Sequence, residues 1–135
     1  MTDESEPPEI PQLGPELSRE DAIGLRESFD DEQRERIEER VAELLDLLGK
    51  THTMSILSVF AFAEKPLRFS DLETELDIAP NTLSTRLKTL TAAGLLDREA
   101  FDEVPPRVEY TPTSKAESLF PVFGHLHHWA IEYEL

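Results

Sequence analysis

The chain has 135 residues, the length of one ordinary domain, and 39% of them are hydrophobic, which is enough for a single compact core. It contains no cysteine, and this excludes disulfides, thiolate metal ligands and thiol redox switches. We recognise no signal peptide and no apolar run near the roughly 20 residues that span a bilayer, so we expect a cytoplasmic protein with no membrane partner.

The net charge of -16 comes from 29 acidic and 13 basic residues, which is unusual for a nucleic-acid-binding protein because such proteins normally carry a basic face. The excess lies mainly in residues 1–48, with 16 acids and 5 bases, against 13 acids and 8 bases in residues 49–135. Lysine is scarce, with 4 residues against 9 arginines. An acidic, lysine-poor surface suits a salt-rich cytoplasm and predicts a halophilic source; an ordinary acidic protein with an acidic tail is the alternative.

The N-terminal third predicts a tail followed by helices. Residues 1–17 are rich in proline and acidic side chains and contain no basic one, which predicts a disordered acidic tail. We expect residues 18–135 to form a single domain. A capping box at Ser18 predicts a helix that should be interrupted near Gly24 and over residues 28–31. Apolar residues then recur at helical spacing over residues 32–48, which predicts a long amphipathic helix with one face against a partner.

The middle of the chain predicts three further helices. Residues 51–64 are apolar almost all round, as expected of the central helix of a core. A capping box at Ser70 opens a short helix over residues 70–76. After a three-residue turn, Pro80 suits the first position of a helix that should run to about residue 93. The predicted buried stripe of that helix consists of Leu83, Leu87 and Leu90.

The C-terminal part predicts a hairpin and a last helix. Residues 95–101 and 107–111 read as two short strands joined by a loop. The last helix should begin at Thr113 and reach about residue 133, with a kink at Pro121. The expected fold is therefore mainly α with a small β-hairpin wing, a winged helix-turn-helix.

The helix over residues 80–93 carries the strongest functional signal. A helix-turn-helix places the second helix of its pair in the major groove of DNA. With 100° between residues, Asn81, Thr85 and Lys88 lie opposite the buried leucines. That exposed face has no carboxylate, although acids outnumber bases about two to one in the chain. A surface that approaches phosphates must avoid negative charge, so this pattern favours DNA binding.

The predicted contacts with double-stranded DNA are Arg68, Asn81, Thr82, Ser84, Thr85, Arg86, Lys88 and Arg107. Short polar side chains near the start of the helix can reach base edges, and Arg86 and Lys88 can neutralise phosphates or read guanine. Arg68, ahead of the third helix, and Arg107, on the hairpin, are placed to clamp phosphates. The alternative is that all eight are solvated polar residues on the surface.

Other polar residues favour structural roles. Lys50 can cap the preceding helix. Three residues are expected in or near the core: His52, Thr53 and Met54. His125 and His128 share a face of the last helix, where a metal site is the alternative to solvated or interface histidines. The sequence shows no Gly-rich phosphate loop and no Ser/His/Asp arrangement, so we expect no enzyme activity, no cofactor and no metal.

Residues 47–129 resemble the HxlR-type regulators, a branch of the winged helix-turn-helix transcription regulators near the MarR group. The matching segments are residues 48–50, 56–57, 67–72, 83–90, 94–98, 119–122, Trp129 and, as the most specific, 104–113. The family usually has tryptophan, leucine and glycine at the positions of His52, Pro112 and Ala116. Some relatives sense redox state through a cysteine, and the absence of cysteine here means that this property is not implied.

The resemblance implies a homodimer that places two recognition helices on a pseudo-palindromic site in duplex DNA. Residues 81–88 would read the groove, and Arg107 would be the wing contact. Dimer contacts in the family usually involve the first and last helices, and both are amphipathic here. The expected interface residues are Val41, Leu44, Leu45, Phe123, Leu126, Trp129 and Tyr133.

The expected function is transcriptional regulation, and regulators in such families more often repress. The composition is haloarchaeal-like. A winged-helix module that docks on the transcription machinery without binding DNA is the alternative, and the charge of -16 motivates it. A small-molecule effector of unknown identity is compatible with the DNA-binding interpretation.

Overall fold

The structure is a computed structural model that describes residues 17–135. The chain divides into two compact units, one that ends at Leu47 and one that runs from Leu48 to Leu135. Almost all of the predicted acidic tail over residues 1–17 lies outside the described residues. Among the helices that are described, none has both the length and the apolar character needed to cross a membrane.

The first unit contains α1 (Arg19–Glu27) and all but the last residue of α2 (Asp31–Leu48). The capping box at Ser18 is confirmed, because its Oγ accepts from the Asp21 backbone N–H at 3.0 Å and the Asp21 carboxylate accepts from the Ser18 N–H. Helix α1 continues through Gly24, so the predicted interruption there is wrong, whereas the interruption predicted over residues 28–31 is confirmed because α1 ends at Glu27 and α2 begins at Asp31. One glycine costs a helix only about 1 kcal/mol relative to alanine, and the cap offsets this.

The second unit contains the rest of the fold. Its elements are α3 (Thr53–Phe62), β1 (Leu67–Arg68), α4 (Phe69–Glu75), α5 (Pro80–Ala92), β2 (Leu96–Phe101), β3 (Arg107–Pro112), α6 (Ser114–Glu117) and α7 (Phe120–Glu132). The strands form one antiparallel sheet in the order β1-β3-β2. The expected fold class, mainly α with a small β wing, is confirmed.

One core holds the second unit together. Three leucines of α5, predicted to be its buried stripe, are at most 1% exposed. They share this core with Ile56, Leu57 and Phe60 of α3, Leu72 of α4, Leu95, Leu96 and Phe123. Burying one such side chain fully stabilises the fold by about 1.5–3 kcal/mol, so α5 is fixed in rotation about its own axis. Its opposite face is thereby directed to solvent.

Helix α4 begins earlier than predicted. Arg68 belongs to β1 and pairs with Glu109 of β3, so the chain is extended up to that residue and turns into a helix directly after it. The Asp71 carboxylate accepts from the Arg68 N–H at 2.8 Å. The predicted capping box at Ser70 is therefore wrong, since the helix begins at Phe69 and its cap is provided by Asp71.

The predicted last helix is two helices, so the expected kinked single helix is wrong. Thr113 caps α6 as predicted: its Oγ1 accepts from the Ala116 N–H at 3.2 Å and donates to the Gly94 carbonyl at 2.7 Å. The chain breaks after this short helix, and Pro121 lies in the first turn of α7. Proline lacks an N–H and suits a first turn, where that donor would have no partner inside the helix.

Candidate nucleic-acid interface

Helix α5 presents the carboxylate-free face to solvent. Asn81, Thr85 and Lys88 are exposed, while Thr82 and Ser84 are half-buried on either side of them. Pro80–Ala92 contains no acidic residue, and Lys88 forms no ion pair with any acid in the described part of the chain. The helix therefore offers a neutral-to-positive polar surface that a polyanion can approach without repulsion from the helix itself.

Three threonine hydroxyls of α5 donate hydrogen bonds within the helix. Thr85 Oγ1 donates to the Asn81 carbonyl and Thr89 Oγ1 donates to the Thr85 carbonyl, each four positions earlier. Such bonds leave the threonine methyl groups and the oxygen lone pairs available at the surface. Asn81 keeps its side-chain amide, a group that can bind adenine through two hydrogen bonds.

Arg86 lies to the side of this face. Its Nε donates a 2.8 Å hydrogen bond to the backbone carbonyl of Thr51, in the turn that leads into α3, and its side chain is half-buried. Sequence reasoning left open whether Arg86 neutralises a phosphate or reads guanine, because it cannot detect a contact between residues 35 positions apart.

The turn before α3 differs from the prediction at one residue. Thr53 is 1% exposed and Met54 is half-buried, as expected of core or near-core residues. His52 is exposed, so its expected core position is wrong. Its φ of 71° places it in the left-handed region, directly ahead of the first residue of α3. Lys50, two positions earlier, is exposed as well.

The two predicted phosphate clamps differ in availability. Arg68 is exposed and forms no ion pair within the described residues. Arg107 has a side chain only 26% exposed, with Nη2 3.2 Å from Glu103 and Nε 3.5 Å from Glu109. The contact to Glu109 is ionic and does not meet hydrogen-bond geometry. The Arg107 guanidinium also lies 4.1 Å from the centre of the Phe101 ring.

The predicted dimer residues fall into two groups. Val41 and Leu45 of α2 are 48% and 62% exposed, and Leu44 is half-buried. Leu126 and Trp129 of α7 are 50% and 44% exposed, Tyr133, directly after α7, is 56% exposed, and the centres of the two aromatic rings lie 5.4 Å apart. Phe123 is a correction: at 1% exposure it fills the core of its own unit and has no surface to offer a partner.

The histidines of α7 do not assemble into a metal centre in the described residues. The rings of His125 and His128 are nearly parallel with centres 6.5 Å apart, and His127 is hydrogen-bonded to the Phe123 carbonyl. Between residues 17 and 135, no three histidine, aspartate or glutamate side chains are grouped in a way that could hold an ion.

Comparison with known proteins places this architecture among regulators of transcription. The family model described as HxlR-like helix-turn-helix matches residues 47–134. An HTH-type transcriptional regulator of Halalkalibacterium halodurans is 38% identical over 89 residues, which cover 65% of this chain and 78% of the relative. The HTH-type transcriptional regulator YvaP of Bacillus subtilis is 35% identical over 95 residues, 70% of this chain and 86% of its own length.

Solved structures agree with the sequence relatives. The reduced form of the transcriptional regulator YodB from B. subtilis has a TM-score of 0.61 and 32% identity, and the match covers 70% of this chain and 91% of that one. A MarR-family regulator from Porphyromonas gingivalis has a TM-score of 0.64 at 25% identity, with the same two coverages. These relatives are regulators and not enzymes. The sequence match and the fold together show that the chain belongs to the HxlR-like helix-turn-helix family of winged-helix transcriptional regulators.

Proposed function

We propose that the protein binds duplex DNA as a homodimer and represses transcription, with α5 in the major groove and the β2–β3 wing beside the sugar-phosphate backbone. The observation that carries the proposal is the exposed, carboxylate-free face of α5 in a chain with 29 acids and 13 bases. Its membership of a helix-turn-helix regulator family supports DNA as the ligand. A cytoplasmic location follows from the need to reach that DNA.

The groove-reading group is Asn81, Thr82, Ser84, Thr85 and Lys88. Short polar side chains near the start of a recognition helix contact base edges, and a lysine can bind guanine or a phosphate. The buried leucines of α5 hold this group in one orientation. Rigid placement matters because each good bidentate base contact contributes only about 1–3 kcal/mol of discrimination.

The wing is a weaker phosphate surface than the family resemblance implies. Residues 96–112 contain five acids and two arginines, Arg98 and Arg107. The wing can therefore approach the DNA backbone only where one of these arginines lies between the strands and the phosphates. Glu103, whose Oε1 lies 3.2 Å from Nη2, competes with a phosphate for Arg107.

The homodimer is supported by apolar surface on the terminal helices. Leu126 and Trp129 of α7, Tyr133 directly after it, and Val41 and Leu45 of α2 are each at least 44% exposed. Aromatic side chains of this kind are enriched at protein interfaces. A two-fold dimer would present two copies of α5, which bind half-sites about 34–36 Å apart when they enter successive turns of the major groove.

The test is a footprint on the DNA upstream of the protein's own gene, across a range of salt concentrations. We expect a protected, pseudo-palindromic site and a log affinity that falls with log salt concentration. Asn81→Ala should alter the base preference, whereas Lys65→Ala, which changes an exposed lysine after α3, should behave like the wild type. A fragment with no protection at any salt concentration would overturn the proposal and favour a docking module that does not bind DNA.

A further inference from the structure

We infer that Arg86, Lys50 and His52 form a phosphate site at the turn before α3, which holds a DNA backbone phosphate beside the groove. The inference rests on the proposed function and deepens it, because it assigns Arg86 to the backbone and not to the bases. It also adds two residues, Lys50 and His52, that no sequence pattern linked to DNA.

The side chain of Arg86 leaves α5 in a different direction from the groove-reading group. Five positions separate it from Asn81, so at 3.6 residues per turn the two side chains leave α5 about 140° apart. Arg86 consequently projects beside the buried stripe, toward the turn before α3. The 2.8 Å hydrogen bond from Nε to the Thr51 carbonyl fixes it there.

The hydrogen bond to Thr51 leaves most N–H donors of Arg86 free. A guanidinium has five N–H donors, and the bond to Thr51 uses the one on Nε. The four N–H groups of the two Nη atoms remain, in a plane that the tether orients. This fork matches the oxygens of a phosphate, and its pre-orientation reduces the entropy lost on binding.

Arg86 has no acidic partner in the described part of the chain. Within residues 17–135, no carboxylate pairs with Arg86, unlike Arg26, Arg34, Arg36 and Arg107, which all have acidic partners. The partner of Arg86 is a neutral carbonyl, so its positive charge is not cancelled. An anion that approaches the turn therefore meets an uncompensated cation at a defined place.

Two further residues with hydrogen-bond donors lie beside Thr51 in the chain. Lys50 and His52 flank Thr51 in the chain, and both are exposed. Lysine and arginine side chains are donors only, and a histidine ring has one donor when neutral and two when protonated, so these residues can donate to an anion that approaches the turn. Contacts to phosphate oxygens at the flanks of a recognition helix position a protein on DNA without reading sequence, and this turn is placed for such a contact.

The experiment measures affinity for the footprinted fragment by fluorescence anisotropy over a salt series, for the wild type and three variants. Lys50→Ala removes one cation from an exposed position. His52→Asn keeps a residue that tolerates the left-handed conformation. Arg86→Lys keeps the charge but cannot make the same forked contact. Lys65→Ala is the matched control, with the same change of charge at the opposite end of α3.

We expect Lys50→Ala to reduce the magnitude of the salt slope by about one unit and to weaken all fragments equally, so that sequence preference is kept. His52→Asn and Arg86→Lys should also weaken all fragments equally. If these variants match Lys65→Ala while Asn81→Ala still alters base preference, the phosphate site is wrong and the proposed function stands. If the wild type has no base preference at any salt concentration, the proposed function fails and this inference fails with it.

Discussion

The hydroxyl of Thr85 donates a 2.9 Å hydrogen bond to the backbone carbonyl of Asn81, one turn earlier on the exposed face of α5. The donor of Thr85 is therefore committed inside the helix. What the side chain can offer a base edge is its methyl group and the remaining lone pairs of the oxygen. Among base edges in the major groove, the C5-methyl of thymine is the natural partner of that methyl group.

This relationship predicts the outcome of two substitutions at Thr85. Thr85→Val keeps the methyl group and should preserve base preference, because the lost hydrogen bond is internal to the helix and contributes little. Thr85→Ser keeps the hydroxyl but loses the methyl, and should cost about 1 kcal/mol at one base-pair position. Competition binding against fragments that each carry one base-pair change is the measurement. Loss of base preference in Thr85→Val, with preference retained in Thr85→Ser, would show that the hydroxyl, and not the methyl, contacts the DNA.

The ion pair between Arg107 and Glu103 predicts a gain of DNA affinity on removal of a carboxylate. Glu103→Gln frees Nη2 of Arg107 and should raise affinity about two- to fivefold, the range of an exposed ion pair of up to about 1 kcal/mol. Asp102→Asn is the matched control, since it makes the same change of charge on the same loop at a residue with no ion pair in the described structure. Adding Arg107→Ala to Glu103→Gln should abolish the gain. Equal gains in the Gln and Asn variants would assign the effect to net charge and remove Arg107 from the interface.

Helix α5 could be predicted from sequence because its signals are local. Pro80 fits a first helical position, and three leucines recur at helical spacing. None of the thirteen residues of the helix is acidic. The hairpin and the Thr113 cap are local for the same reason. Each depends on residues a few positions apart, where periodicity and capping chemistry are decisive.

The features that sequence reasoning missed depend on distant partners. Strand β1 is two residues long and exists because Leu67 and Arg68 pair with Tyr110 and Glu109. The tether from Arg86 to Thr51 likewise joins residues of separate elements. Phe123 has the spacing of an interface residue on α7, and only the packing of the whole unit shows that it is in the core. Helical periodicity marks an apolar face without saying what covers it.

The exposed aromatic pair at the end of α7, Trp129 and Tyr133, predicts how the proposed dimer responds to mutation. Trp129→Ala should weaken dimerisation by about 2 kcal/mol, roughly thirtyfold, because large aromatic side chains dominate interface energies. Leu126→Asp should weaken it further, since it places an unpaired charge among apolar side chains. Sedimentation equilibrium measures the effect. Val104→Asp is the control, because Val104 is fully exposed at the wing and lies outside the proposed interface. An unchanged dimer in both α7 variants would place the interface elsewhere.

The acidic composition predicts that salt stabilises the fold. Helix α2 has seven acids and three arginines, and its Arg34 and Arg36 pairs are solvent-exposed, so they offset little of the repulsion. Raising ionic strength from 0.1 M to 1 M shortens the screening length from about 10 Å to about 3 Å and weakens repulsion between like charges.

We therefore expect the midpoint of thermal unfolding to rise with potassium chloride over that range, by about 4 °C for each kcal/mol of repulsion removed. Glu43→Lys replaces one member of the like-charged pair formed with Glu39 one turn earlier, and should raise the midpoint at low salt while reducing the gain from added salt. Circular dichroism melts of the two proteins at both ionic strengths measure this. An equal salt gain in wild type and variant would mean that salt acts through apolar burial and not through charge, because only the charge term changes between them.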